Sequence, residues 1–115
     1  MDANKISILL SNIIKIMSVQ TKQDVINLLQ SYQGELSKFG VNRLGLFGSF
    51  VRNTAKSESD VDVLVVFEPS HKTFDNFMNL SFFLEDLFQR KVDLITIDSL
   101  SPYLGNKILQ EVEYV

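Results

Sequence analysis

Residues 44–67 read LGLFGSFVRNTAKSESDVDVLVVF, and this stretch carries both the fold signal and the chemistry. Its second part, Asp60-Val61-Asp62-Val63-Leu64-Val65-Val66-Phe67, is rich in β-branched side chains and reads as a strand. Alternate residues of a strand share a face. Val61, Val63, Val65 and Phe67 therefore point toward a core, while Asp60 and Asp62 project side by side on the opposite face. Upstream, residues 41–47 read as a strand around Leu44, Leu46 and Phe47. Gly48-Ser49 reads as a turn, residues 50–54 as a short helix and residues 55–59 as a polar loop.

Outward from this stretch the chain alternates. Pro69 ends the strand, and residues 73–89 form a long helix with Thr73 as its cap. Residues 91–97 form a third strand, and the turn at 98–102 opens a last helix over 103–112. On the N-terminal side, Thr21 caps a second helix, with Asp24 in its first turn. That helix carries Val25, Ile26, Leu28 and Leu29, fades over 34–39 and stops at Gly40. Residues 4–18 place Ile6, Leu9, Leu10, Ile13, Ile14 and Met17 on one helical stripe, with Ile8 and Ile16 off it. Such a stripe either packs on the chain's own core or forms a surface for a partner or a second copy. The order of elements predicts a small α/β sheet with helices packed on it.

The chain has 115 residues, with 14 acidic and 11 basic side chains, one His and no Cys. This length predicts one domain over 1–115, with residues 1–20 as a helical extension. The lack of Cys excludes a disulfide framework and a thiolate metal site, and a lone His excludes a His cluster. Any metal here must be a hard, oxygen-bound cation such as Mg²⁺ or Mn²⁺. The net charge of −3, with scattered basic residues, argues against a nucleic-acid acceptor. No apolar run reaches the length of a membrane span, and the N-terminus does not resemble a signal peptide, so the expected location is cytoplasmic.

Two adjacent carboxylates repel unless a cation lies between them, and Asp60 and Asp62 therefore point to a divalent metal. Gly48-Ser49, at a strand-to-helix junction, is a candidate anion cradle. Asp93 lies among the apolar residues Val92, Leu94 and Ile95. If its strand lies beside the 60–67 strand, it joins the other two acids, and three acids suffice for two metals. As a bare edge-strand charge it would do nothing. Lys56 and His71 read as solvated loop residues.

Together these residues resemble the nucleotidyltransferase superfamily that includes DNA polymerase β, and in particular its minimal nucleotidyltransferases. The shared pattern is Gly48-Ser49, ten intervening residues, Asp60-Val61-Asp62 and a later lone Asp93. "GLFGSFVR", "SDVDVLVVF", "RKVDLIT" and "ILQEVEYV" all resemble family segments, and the likeness covers roughly residues 22–115. Asn53 departs from the family's Gly at that position, and Asn tolerates unusual backbone angles better than most residues.

The resemblance implies a small mixed β-sheet flanked by helices and transfer of a nucleoside monophosphate from a triphosphate. Gly48 and Ser49 would hold the β- and γ-phosphates. Asp60 and Asp62 would bind Mg²⁺ or Mn²⁺, and Asp93 would complete the metal site and activate the acceptor. Arg52 would either hold the triphosphate or pair with a carboxylate to fix the turn. Minimal members often act as antitoxins beside HEPN-type ribonuclease toxins, some by attaching AMP to a toxin tyrosine. That reading is expected here, with ATP as substrate. A binding-only antitoxin and a small-molecule nucleotidyltransferase, working as a homodimer or hetero-oligomer, are the alternatives. The 73–89 helix is apolar nearly all round, so its side chains are either shared between the sheet and the N-terminal helix or exposed for docking.

Overall fold

The computed structural model describes residues 3–115, the side chains of 11, 12 and 14–16 excepted. Helix α1 spans Ala3–Met17, α2 Lys22–Ser31 and α3 Gln33–Lys38. Strand β1 covers Val41–Phe47, α4 Gly48–Val51 and β2 Val61–Phe67. Helix α5 runs over Phe74–Phe88, β3 over Val92–Thr96, α6 over Pro102–Glu111 and β4 over Glu113–Tyr114.

The described residues form a four-stranded sheet in the order β3-β2-β1-β4. β1 runs antiparallel to β2 and to β4, and β2 runs parallel to β3. The sheet is therefore mixed, as the resemblance implies. β2 lies inside it, and Val61, Val63, Val65 and Phe67 are all buried as their alternation predicts. Leu64, on the other face, is buried as well. The core joins Val61, Val63, Val65 and Phe67 to Val25 and Leu29 of α2, Leu36 of α3, Phe50 of α4 and Leu80, Leu84 and Phe88 of α5.

The helix signals hold with two corrections. Thr21 and Asp24 form a reciprocal capping box at the start of α2, and Thr73 caps α5 by accepting from the Asn76 N–H. The helix expected to fade toward Gly40 is instead broken at Tyr32 into α2 and α3, and Gly40 ends it at φ +77°. The helix expected over 50–54 begins at Gly48 and stops at Val51, because Asn53 takes a left-handed φ of +57° that no helix continues. The two-residue β4 was not expected.

The two apolar helices resolve differently. On α5, Leu80, Leu84 and Phe88 face the core, with Phe77, Phe83 and Leu87 partly buried beside them, whereas Phe74 and Phe82 are 75% and 60% exposed. On α1, Ile6, Ile8, Leu9, Leu10, Ile13 and Met17 are all exposed, so the described part of the stripe does not pack on the chain's own core. Ile14 and Ile16 lie outside the described side chains. The chain settles on the body just after α1. Val19 is buried, its N–H donates to the Phe88 carbonyl at 3.0 Å, and its own carbonyl accepts from Arg90 Nε at 2.7 Å.

Candidate active site

The register of the sheet sets two of the sequence-predicted acids opposite one another. Asp62 on β2 pairs with Asp93 on β3, residue opposite residue in parallel strands, and with Phe47 on β1. Asp60 stands just before β2 and is exposed, as is Asp93, while Asp62 is half-buried. Burial pushes the Asp62 carboxyl up to about 6, helped by the negative charges of Asp93, Asp60 and Glu111 and opposed by Arg52. β3 is an edge strand, but its acid is no stray edge charge, since it acts directly on Asp62.

The glycine-serine junction lies against this cluster. Gly48 follows Phe47 and has φ +74°, and a Cβ built there would collide with Oδ2 of Asp62. Glycine is therefore required at this position twice over, for its backbone angle and for the space that the carboxylate takes up. Ser49 is half-buried in the first turn of α4, and its carbonyl accepts from the Thr54 N–H at 2.9 Å. Arg52 pairs with Glu111 of α6. Of the two roles open to Arg52, the structure places it on a carboxylate. Asp62 is thus the centre of the arrangement: Gly48 lies against its carboxylate, and the charges of Asp93, Asp60 and Arg52 act on it. Lys56 is an exposed loop residue, as expected; His71 is exposed too but ends a short 3-10 helix over Pro69–His71 rather than lying in a loop.

The nucleotidyltransferase domain family matches residues 29–115. This chain belongs to that family. The nucleotidyltransferase is 39% identical over 100 residues to the protein adenylyltransferase MntA of Thermococcus cleftensis, across 86% of this chain and all of the relative. Among solved structures, a candidate minimal nucleotidyltransferase superposes with a TM-score of 0.71 at 28% identity, covering 81% of this chain and 94% of the other. A chain from a complex of a tri-AMPylated Shewanella oneidensis HEPN toxin with an MNT antitoxin superposes at 0.50 and 19% identity, a likeness of fold. It covers 74% of this chain and 69% of the other.

Two residues that matter to the nucleotidyltransferase site were missed in sequence. The Glu111 carboxylate bridges the site, accepting from the Gly48 N–H at 3.0 Å through Oε2 and pairing with Arg52 through Oε1. Arg90 ties down the loop that leads to Asp60. Its Nη1 donates to the carbonyls of Lys56 (2.9 Å), Ser57 (3.1 Å) and Ser59 (2.9 Å). Glu111 gives no local signal, because its partners lie about sixty residues back along the chain. Arg90 sits in the "RKVDLIT" segment and gives no local signal either, because the carbonyls it serves lie more than thirty residues back along the chain.

The donors are hard carboxylate oxygens, and a divalent ion beside the half-buried Asp62 would offset both the burial of its charge and the repulsion from Asp93 and Asp60. Among the described residues no three metal-type side chains form a ready cage. Mg²⁺ does not require one, because it is commonly held by one or two carboxylates with substrate phosphates and water. Asp60, Asp62 and Asp93 would be the residues to hold it. Among the described residues no helix is long and apolar enough to cross a membrane.

Proposed function

We propose that this nucleotidyltransferase is an antitoxin that transfers AMP from ATP to a tyrosine hydroxyl of a HEPN-type toxin, in the cytoplasm where ATP is abundant. The observation that carries this reading is the Asp62–Asp93 register pair set against the Gly48 junction. It supports a reading in which adjacent carboxylates serve a metal–triphosphate and one of them, Asp93, also faces the acceptor. The 39% identical relative named a protein adenylyltransferase supports a protein acceptor. The similar fold within a complex holding an AMPylated HEPN toxin supports the class of partner. Exposed Phe74 and Phe82 on α5 offer apolar contact for docking.

In this reading Gly48, Ser49 and Arg52 hold the β- and γ-phosphates, and Asp60, Asp62 and Asp93 hold Mg²⁺ or Mn²⁺. The cation, when bound, supplies charge neutralisation at the triphosphate. The tyrosine oxygen attacks the α-phosphorus, the bond from that phosphorus to the bridging oxygen breaks, and pyrophosphate leaves. A tyrosine hydroxyl titrates near 10, so its proton needs an acceptor, and the exposed Asp93 carboxylate takes it. The whole chain acts as one domain, with α1 an extension to it.

The test is mass spectrometry of the partner toxin after co-expression. The expected result is a gain of whole AMP residues on a tyrosine, abolished by Asp62→Asn and by Asp93→Asn. A partner that is fully inhibited yet unmodified refutes transfer and leaves a binding-only antitoxin.

A further inference from the structure

We infer that Glu111 is a positioning residue for the nucleotide: it bridges the Gly48 N–H and the Arg52 guanidinium in place of a phosphate and gives both up when a triphosphate binds. The inference rests on the reading of the site given above and names a residue which that reading does not use.

The geometry is specific. One carboxylate contacts two different donors, the backbone N–H of Gly48 at 3.0 Å and the Nη1 of Arg52. A carboxylate is the nearest protein equivalent of a phosphate edge, with two oxygens that carry charge and accept hydrogen bonds. A simple scaffold pair would need only the arginine. The second contact places Glu111 on the backbone N–H of Gly48, the same residue whose missing Cβ makes room for Asp62.

The placement of Glu111 is secure at its base and free at its tip. It is the last residue of α6, and the chain then enters β4, which pairs Glu113 with Leu46 and Tyr114 with Gly45. The backbone is thus stitched to β1, while the Glu111 side chain keeps 25% exposure and that of Arg52 56%. Both tips can swing without disturbing the sheet.

Charge supplies the reason for release. Asp62 feels the negative charges of Asp60, Asp93 and Glu111 against Arg52 alone. A triphosphate adds several more negative charges beside the same arginine. Left in place, Glu111 would repel the phosphates and occupy the donors they need. With Glu111 holding them, those donors stay pointed at a common spot, which lowers the ordering cost when the nucleotide binds.

The experiment is calorimetric titration of the full chain with AMP-PNP and Mg²⁺, for the native protein, Glu111→Gln, Arg52→Gln and the double variant. Glu111→Gln keeps an oxygen for the Gly48 N–H but removes the charge. It should bind AMP-PNP about fivefold tighter, equivalent to ~1 kcal/mol for one like charge removed from a wet site. Arg52→Gln should bind more weakly, and the gain from Glu111→Gln should shrink in that background. A residue that only braced the fold would lower the urea midpoint and leave affinity unchanged or reduced, and that result overturns the inference. A second reading uses the unmutated chain: the Gly48 amide and Arg52 Nε–H resonances should both shift on saturation with AMP-PNP, and an unmoved Gly48 amide also overturns it. A native chain that binds no nucleoside triphosphate removes the reading beneath the inference and the inference with it, an outcome distinct from tight native binding with an indifferent Glu111→Gln.

Discussion

Gly48 and Asp62 exclude one another's growth: the space that a side chain at Gly48 would need is already filled by the Asp62 carboxylate. Gly48 opens α4 just after β1 and Asp62 lies in β2, and their contact fixes how close the proposed phosphate-binding junction lies to the proposed metal-binding face. Gly48→Ala should therefore fail on two counts. A left-handed backbone costs an alanine about 1–2 kcal/mol. The methyl group also pushes Asp62 aside, and a misplacement of about 1 Å can lower transfer by about a hundredfold. Urea unfolding and an AMP-transfer assay would read the two effects separately.

Asp62 predicts a pH dependence. Burial first, then the charges of Asp93 and Asp60, hold its folded value at about 6, above the ordinary 3.8. Between those values the folded state keeps a proton that the unfolded chain has lost, so the nucleotide-free protein loses stability as pH rises through that window. Asp62→Asn removes this slope. At about pH 7 the variant should be more stable than the native chain by about 1 kcal/mol, a figure discounted because the carboxyl is partly solvated. At about pH 4 the two should coincide. Urea midpoints at both pH values check it, and transfer by the variant should be absent throughout.

Asn53 predicts tolerance of one replacement and not another. Its φ of +57° lies in the left-handed region, and its N–H donates to the Phe50 carbonyl at 3.2 Å. Asn53→Gly should leave folding and transfer unchanged. Asn53→Val should cost about 1–2 kcal/mol, because a β-branched residue resists that angle. Chemical denaturation of the two variants would separate them.

Arg90 predicts loss without rescue. Its guanidinium serves the carbonyls of Val19, Lys56, Ser57 and Ser59 and stacks near Phe50, 5.0 Å from the ring centroid. Arg90→Ala should destabilise by roughly 2–3 kcal/mol, since charged hydrogen bonds are lost and several acceptors are left without a donor. Arg90→Lys should recover little, because an ammonium cannot reproduce the planar spread of donors. Thermal melts would show this, with transfer falling alongside as the Lys56–Ser59 loop slackens before Asp60.

The legible parts of the fold were those with local causes. The alternation of Val61, Val63, Val65 and Phe67 names the buried face of β2, and Thr21 and Thr73 mark helix starts through their own side chains. The acids were visible from their spacing, but that Asp93 lies opposite Asp62 depends on the parallel pairing of β2 with β3, a long-range fact. Glu111 was invisible because its meaning comes from Gly48 and Arg52, and β4 because two residues carry no periodicity. For α1, the stripe from Ile6 to Met17 states that an apolar face exists. It does not state where that face goes, and in this structure the described part faces outward.

Among the described residues β3 has no strand neighbour on its outer side, and within it Asp93 is the one charged residue among Val92, Leu94, Ile95 and Thr96. Open edges of this kind template unwanted pairing between molecules, and an inserted charge is a common safeguard against it. The acid proposed to accept the acceptor's proton is thus also placed where a charge discourages such pairing. On the proposed reading, a neutral replacement would both end transfer and leave the outer edge of β3 without its charge.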